Sequence, residues 1–270
     1  MLSITREVMA VATEHRPVGQ LLRRWREERR LSQLELSSLS GVSTRHLSFV
    51  ETGRSQPSRE MVLRLADQLD VPLRERNQLL LTAGYAPVYA QTPLSSPHMT
   101  QVRAAIAQVI AGHEPYPAIV VDREWNLVDA NGAAGVFMTG IAAHLLQPPS
   151  NVLRASLHPD GLAPRIVNLG EWRAHLLARL RRQTGFAAGE QLAELYAELS
   201  AYPCDQPEPH VELPGPGDIV VPLRVRHEGG ELAFFSVLTT FGTPLDITVA
   251  ELSIESFFPA DARTATALRG

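Results

Sequence analysis

The chain has 270 residues, 44% of them hydrophobic and 20% charged, with a formal net charge of −4. That is room for two ordinary domains and too apolar for a disordered polymer. No apolar run reaches the ~18 residues of a spanning helix, the opening MLSITREVMAVATEHRP has no h-region with a cleavage site, and the single cysteine, Cys204, excludes an intrachain disulfide.

The expected compartment is the cytoplasm. All 25 basic residues are arginine, which with abundant Ala and Pro points to a high-GC bacterial genome. Charge is unevenly spread: residues 1–90 hold 13 Arg against 10 acids, the remainder 12 Arg against 19. The contrast suggests an anion-facing module ahead of one that does not face anions.

Residues 1–16 are read as an N-terminal extension. Pro17 suits a first helical turn, and VGQLLRRWREERR puts Val18, Leu21, Leu22 and Trp25 on one face. Ser32 and Glu35 have capping-box spacing at the start of a helix that turns Leu36 inward and stops at Gly41. Ser43 caps the next helix, STRHLSFVETGR, closed by Gly53; Leu47 and Val50 form its narrow buried stripe. PSREMVLRLADQL and PLRERNQLLLTAG supply two further helices, with Met61, Val62, Leu65, Leu69, Leu79 and Leu80 as apolar positions.

Two short helices joined by a glycine-bearing turn, the second with a polar outward face, describe a helix-turn-helix. A plain bundle with a solvated face is the bland alternative, disfavoured by the joint spacing of Gln33, Leu36, Gly41, Val42, Leu47 and Glu51. In that motif the second helix enters the major groove with its first residues at base edges. The DNA-contacting candidates are therefore Ser43, Thr44, Arg45, His46 and Ser48, with Arg45 suited to guanine O6 and N7. Gln33, at a helix start, can hold a phosphate, and Arg54 and Arg59 flank the motif as backbone clamps. One such module buries roughly 600–1,000 Å² and reads few bases, so a homodimer on a double-stranded operator is expected.

This all-α domain spans 17–85, and a Pro- and Ser-bearing linker, APVYAQTPLSSP, covers 86–97. In 98–258, PAIVVD and WNLVDA read as two strands around Asp122-Arg123-Glu124, a hairpin without an Asn-Gly turn. Helices follow: NGAAGVFM, a segment near 150–157, NLGEWRAHLLARLRRQ with Asn168 and Glu171 in capping-box spacing, and GEQLAELYAELSAY. After the Pro-rich loop 203–217, DIVVPLRVRH, GELAFFSVLTTFG and ITVAELSIESFF read as three strands, and 259–270 as a tail. The order predicts an α+β domain with an antiparallel sheet on one side, an order PAS domains share. A crevice between sheet and helices would be lined by Phe137, Trp172, Leu176, Leu180, Phe235 and Phe241, with Trp172 facing Phe235 across it.

SQLELSSLSGVSTRHLSFVETGRSQPS resembles the Xre/Cro-type DNA-binding domain of bacterial regulators. RHLSFVETGRSQPSREM with LLLTAGYAP, and then YPAIVVDREWNLVDAN, NVLRASLHPDG and FGTPLDITVAELSIESFFPAD, resemble the MmyB-like transcription regulators over nearly all of 17–268. Ser37 stands where many relatives carry alanine, a change small enough to keep the helix contact. The resemblance implies a PAS-like ligand-binding domain and a fatty-acid-like ligand. A carboxylate head would then need a cation; Arg154 is the first choice, with His158 close to it.

Cys204 has no motif around it, there is no Gly-x-Ser-x-Gly elbow, and GPGD at 215–218 precedes a strand instead of following one. The nine histidines show no metal-ligand spacing. The expectation is a DNA-binding regulator that senses an apolar small molecule, without a metal or cofactor. A C-terminal module that only dimerises or binds a protein is the alternative, and an enzyme the less favoured one.

Overall fold

The computed structural model describes residues 18–183, 190–207, 221–228 and 230–269. The extension 1–16, Pro17, residues 208–217 of the Pro-rich loop with its GPGD, and the first residues of DIVVPLRVRH lie outside the described residues. The chain divides into two compact units: one reaches to Ala90 and includes Leu245–Ile247, and the other runs over Gln91–Pro244 and Thr248–Gly270.

The first unit is helical: α1 (Val18–Glu28), α2 (Gln33–Ser40), α3 (Thr44–Glu51), α4 (Arg59–Gln68) and α5 (Leu73–Thr82). Its boundaries follow local chemistry. Ser32 and Glu35 form a reciprocal capping box, Ser43 Oγ accepts from the His46 amide, and Ser58 Oγ accepts from the Met61 amide. Gly41 ends α2 at φ 69°, a left-handed geometry that costs glycine little. Leu22, Trp25, Leu36, Leu47, Val50, Val62, Leu65, Leu69, Leu79 and Leu80 are the buried interior. At Gly19 a Cβ would lie 1.9 Å from the Val50 carbonyl oxygen, so only glycine lets α1 approach α3 this closely.

The second unit is built on an antiparallel sheet. Its strands are β1 (Ala118–Val121), β2 (Leu127–Ala130), β3 (Leu223–His227), β4 (Gly230–Thr240) and β5 (Ser253–Pro259), in the order β2-β1-β5-β4-β3. Its helices are α6 (Thr100–Ala111), α7 (Gly135–Met138), α8 (Val152–Leu157), α9 (Leu169–Gln183), α10 (Glu190–Ala201), α11 (Ile247–Ala250) and α12 (Ala262–Ala267). Two strands, several helices and three strands is the expected α+β, PAS-like succession. The hairpin between β1 and β2 turns on Asp122, whose Oδ1 accepts from the Glu124 and Asn126 amides at 2.8 and 2.9 Å.

Both faces of the sheet are covered. One packs Ile119, Phe234 and Phe257 against Phe137, Leu153, Trp172, Leu176 and Leu180; the other packs Ala118, Val120 and Ile254 against Ile106 and Ile110 of α6. This corrects the one-sided sheet expected from sequence and explains why all four residues of β1 are buried. Three local readings also change. ITVA is a helical turn rather than strand, because the β4–β5 ladder begins at Thr240↔Ser253 and leaves residues 241–252 as its connection. The 259–270 tail contains α12, capped by Asp261. Asn168 and Glu171 meet side chain to side chain, but Asn168 Oδ1 accepts from the Arg224 amide of β3 at 3.1 Å, so no reciprocal box forms.

Candidate nucleic-acid interface and ligand cavity

In the first unit the polar face of α3 begins at its cap. Ser43 spends its hydroxyl on the His46 amide at 3.3 Å. Thr44, His46 and Ser48 are half-buried, whereas Arg45 is exposed, with its guanidinium 5.5 Å from the Phe49 ring centroid. Phe49 thus steadies the arginine from beneath without neutralising it. Arg54 and Arg59 are also exposed. Arg45 in the first turn of α3 and Arg59 in that of α4 are cations where the helix dipole favours anions, a local cost of about 0.3–1 kcal/mol. An anion brought from outside reverses that cost, as a DNA phosphate or a guanine acceptor would.

Gln33 does something the sequence did not reveal. Its Nε2 donates to Glu51 Oε2 at 2.8 Å, and Glu51 accepts two further bonds, from Arg26 Nε at 2.7 Å and Nη2 at 2.8 Å. Arg26 and Glu51 are 8% and 4% exposed, so α1, α2 and α3 are tied by a buried, bidentate ion pair. The signal was present as an acid and an arginine on otherwise apolar faces. Their pairing needed the helix packing.

In the second unit a cavity of about 80 Å³ lies between the sheet and α7, α8 and α9. Phe137, Trp172 and Leu176 line it together with Ile119, Leu153 and Phe257. Leu180 lies deeper, fully buried in the surrounding core and outside the lining. Phe235 is a correction of parity: Phe234 occupies the core face beside Phe137 (5.2 Å), while Phe235 stacks on Phe258 (5.3 Å, 12°) on the other face. Phe241 also packs on that other face, against the α6 cluster.

Arg154 is likewise not placed in the cavity lining. Its Nε and Nη2 bind both oxygens of Glu198 at 2.7 and 2.6 Å, an ion pair 37% exposed on each side. Bidentate geometry commits the Nε–Nη2 edge of the guanidinium to Glu198. The Tyr202 hydroxyl donates to the same Glu198, and burial, with that carboxylate, pushes the phenol up to about 12. His158 packs its ring against Tyr202 (5.0 Å) and His144 (5.6 Å), again outside the lining.

Against the expectation from spacing, His144, His158 and Asp160 bring ligand-capable atoms within 4.8 Å of one another. His158 Nδ1, however, accepts the Asp160 amide at 2.9 Å, which commits the lone pair of the neutral ring.

Two features in and beside the cavity wall escaped sequence reasoning. Glu255, on β5, lines the cavity, and Arg179 of α9 donates to it from Nη1 at 3.1 Å. His175, one turn earlier on α9, stacks on Trp172 at 5.5 Å; burial, and then the Arg179 cation, hold its pKa below the usual 6.5. Among the described residues, no helix is long and apolar enough to cross a membrane.

Residues 102–270 match the family described as MmyB-like transcription regulator ligand binding domain, and residues 22–76 match the helix-turn-helix family. No curated protein matches the chain.

Proposed function

The chain belongs to the MmyB-like transcription regulators, DNA-binding regulators with a ligand-binding domain, and on that footing we propose that α3 reads operator DNA within a cytoplasmic homodimer while the second unit senses an apolar, fatty-acid-like small molecule. DNA binding is assigned to residues 17–85 and sensing to 98–258, joined through 86–97. Arg45 reads a guanine; Ser43, Thr44, His46 and Ser48 complete the α3 face; Gln33, Arg54 and Arg59 meet the backbone.

The observation that carries the sensing half is the cavity lined by Phe137, Trp172, Leu176 and Phe257. Each methylene buried there contributes about 0.8 kcal/mol. Its volume, about 80 Å³, is small beside the roughly 300–1,000 Å³ of ordinary ligand sites. A longer chain therefore requires the lining residues Met138, Ile141 and Leu146 to move; Leu146 is already 38% exposed. The same small volume favours the second reading, in which this unit only dimerises or binds a protein.

Extraction of the purified protein, followed by mass spectrometry, separates the two. A co-purifying fatty-acid-like molecule in stoichiometric amount is the expected result. An empty protein that also fails to bind added aliphatic acids, alcohols and amides would leave the interaction module standing alone.

A further inference from the structure

Three side chains outside the cavity lining, His144, His158 and Asp160, each bring one ligand-capable atom within 4.8 Å of the others. They come from two segments. His144 lies in the short turn 143–145 that follows α7, His158 caps the C-terminus of α8, and Asp160 stands two residues further on. Backbone bonds hold the two segments in register. The Ala142 amide donates to the Asp160 carbonyl at 2.9 Å, the Gly161 amide to the His158 carbonyl at 2.8 Å, and the Leu162 amide to the Ala155 carbonyl at 2.8 Å. The ring of His158 is steadied from its far side by Tyr202, 5.0 Å away, whose own hydroxyl is bound to Glu198.

Two imidazoles and one carboxylate are a donor set for a borderline divalent cation such as zinc, whereas magnesium and calcium select oxygen. The spacing is compatible. Bonds of about 2.1 Å at a tetrahedral angle set two ligand atoms about 3.4 Å apart, and His158 Nδ1 lies 3.9 Å from Asp160 Oδ2. The His144 and His158 rings meet edge to face at 5.6 Å. His144 and Asp160 are exposed, so their side chains can rotate to close the remaining distance. The tautomer of His158 is already the one required: accepting the Asp160 amide at Nδ1 leaves the ring proton on Nε2, so an ion that takes the Nδ1 lone pair moves no proton. A ring in that form carries no charge, so an ion pair with Asp160 does not explain the convergence. The ion must displace the Asp160 amide, and water takes up that donor because Asp160 lies at the surface.

We propose that His144, His158 and Asp160 form a second ligand site, which takes one divalent transition-metal ion of zinc type through two imidazole nitrogens and one carboxylate oxygen, with solvent completing the tetrahedron. The inference goes beyond the apolar-sensor reading and does not rest on it. Its position gives it a hold on the cavity wall. Ile141 and Leu146 flank His144 in sequence, Ala155 and Ser156 precede His158, and all four line the cavity. An ion bound here ties those two segments of wall together.

The test is calorimetric titration of the tag-free full chain, stripped with a chelator, with zinc chloride alone and, separately, with magnesium chloride. Zinc should bind at one equivalent per chain, and magnesium should give no binding heat. His144→Ala and Asp160→Asn change exposed side chains and should leave the fold intact. Loss of an outer-shell partner commonly costs a metal site about 10–100-fold, so each variant should weaken zinc by at least about tenfold. Cys204→Ser removes the single thiol of the chain and should change nothing. Cobalt gives a second readout: tetrahedral coordination by nitrogen and oxygen produces visible d–d bands without a thiolate charge-transfer band, and both site variants should lose them. Zinc at saturation should also raise the urea midpoint of the unaltered chain and not that of the variants. An unaltered protein that binds no zinc, an unchanged zinc affinity in either site variant, or binding abolished by Cys204→Ser would overturn the assignment.

Discussion

Arg45 carries the sharpest single-residue expectation. It is exposed, sits in the first turn of α3, and rests over Phe49. Arg45→Ala should cost about 1–3 kcal/mol of discrimination at one guanine, read by fluorescence anisotropy on operator variants, with folding unchanged. Gln33→Ala should weaken all sequences more evenly, together with some loss of stability, because its amide also holds Glu51. In the second unit, His175 is kept neutral by burial and by Arg179 and Arg182, against an opposing pull from Glu255. The unfolded chain then takes up a proton that the folded chain resists. Stability should fall as pH drops below about 6.5 and level off only beneath the lower folded value. His175→Gln should flatten that acid limb of a urea-midpoint-versus-pH curve; an unaltered limb would move the effect to other groups.

At the scale of elements, the helix-turn-helix is held by more than its apolar stripe. Arg26 on α1 and Gln33 on α2 converge on Glu51 at the end of α3. Glu51→Ala leaves Arg26 buried without its carboxylate, and about 3–5 kcal/mol of stability should be lost, measurable by denaturant titration of the full chain. Operator affinity should fall with the folded fraction, not at one base. The cavity has its own element-scale test on α9. Trp172 is 4% exposed, lines the cavity and donates to Ser156 Oγ at 3.1 Å. Trp172→Ala should cost about 3–5 kcal/mol and shift the preferred ligand toward longer chains, read from affinities across an alkyl series. A loss of stability with no change in length preference would make Trp172 packing alone.

For the whole molecule, ligand and DNA are coupled only if the ligand binds one state of the regulator more tightly than another. A coupling of about 1–3 kcal/mol would change operator affinity about 5–150-fold. The expected operator is an inverted repeat with half-site centres about one helical turn apart. Operator affinity with and without saturating 1-octanol checks the coupling, and sedimentation of the protein–DNA complex checks the stoichiometry. A complex with one chain per site, or an affinity indifferent to bound ligand, would contradict the corresponding half.

The sequence by itself determined the helix-turn-helix, because its signals are local. Ser32 with Glu35, Ser43, and the glycines at 41 and 53 act on bonds a few residues away, so capping and stripe spacing translate directly into α2 and α3. It also determined the succession of the five strands in the second unit, where runs such as AIVV and LRVRH are short, regular and bounded, but not the helices α6, α11 and α12. Tertiary structure decided what depends on which groups meet across long separations. Phe234 and Phe235 are interchangeable to the eye, and only the β4–β5 register, with α6 covering the second face, assigns one to the cavity side and the other to Phe258. Arg154 and Arg179 are likewise equivalent as letters. Glu198, 44 residues from the first, claims that guanidinium, while Glu255, 76 residues from the second, leaves one of its nitrogens without a partner. A charge is spoken for or available according to its neighbours in space, and chain spacing alone does not encode them.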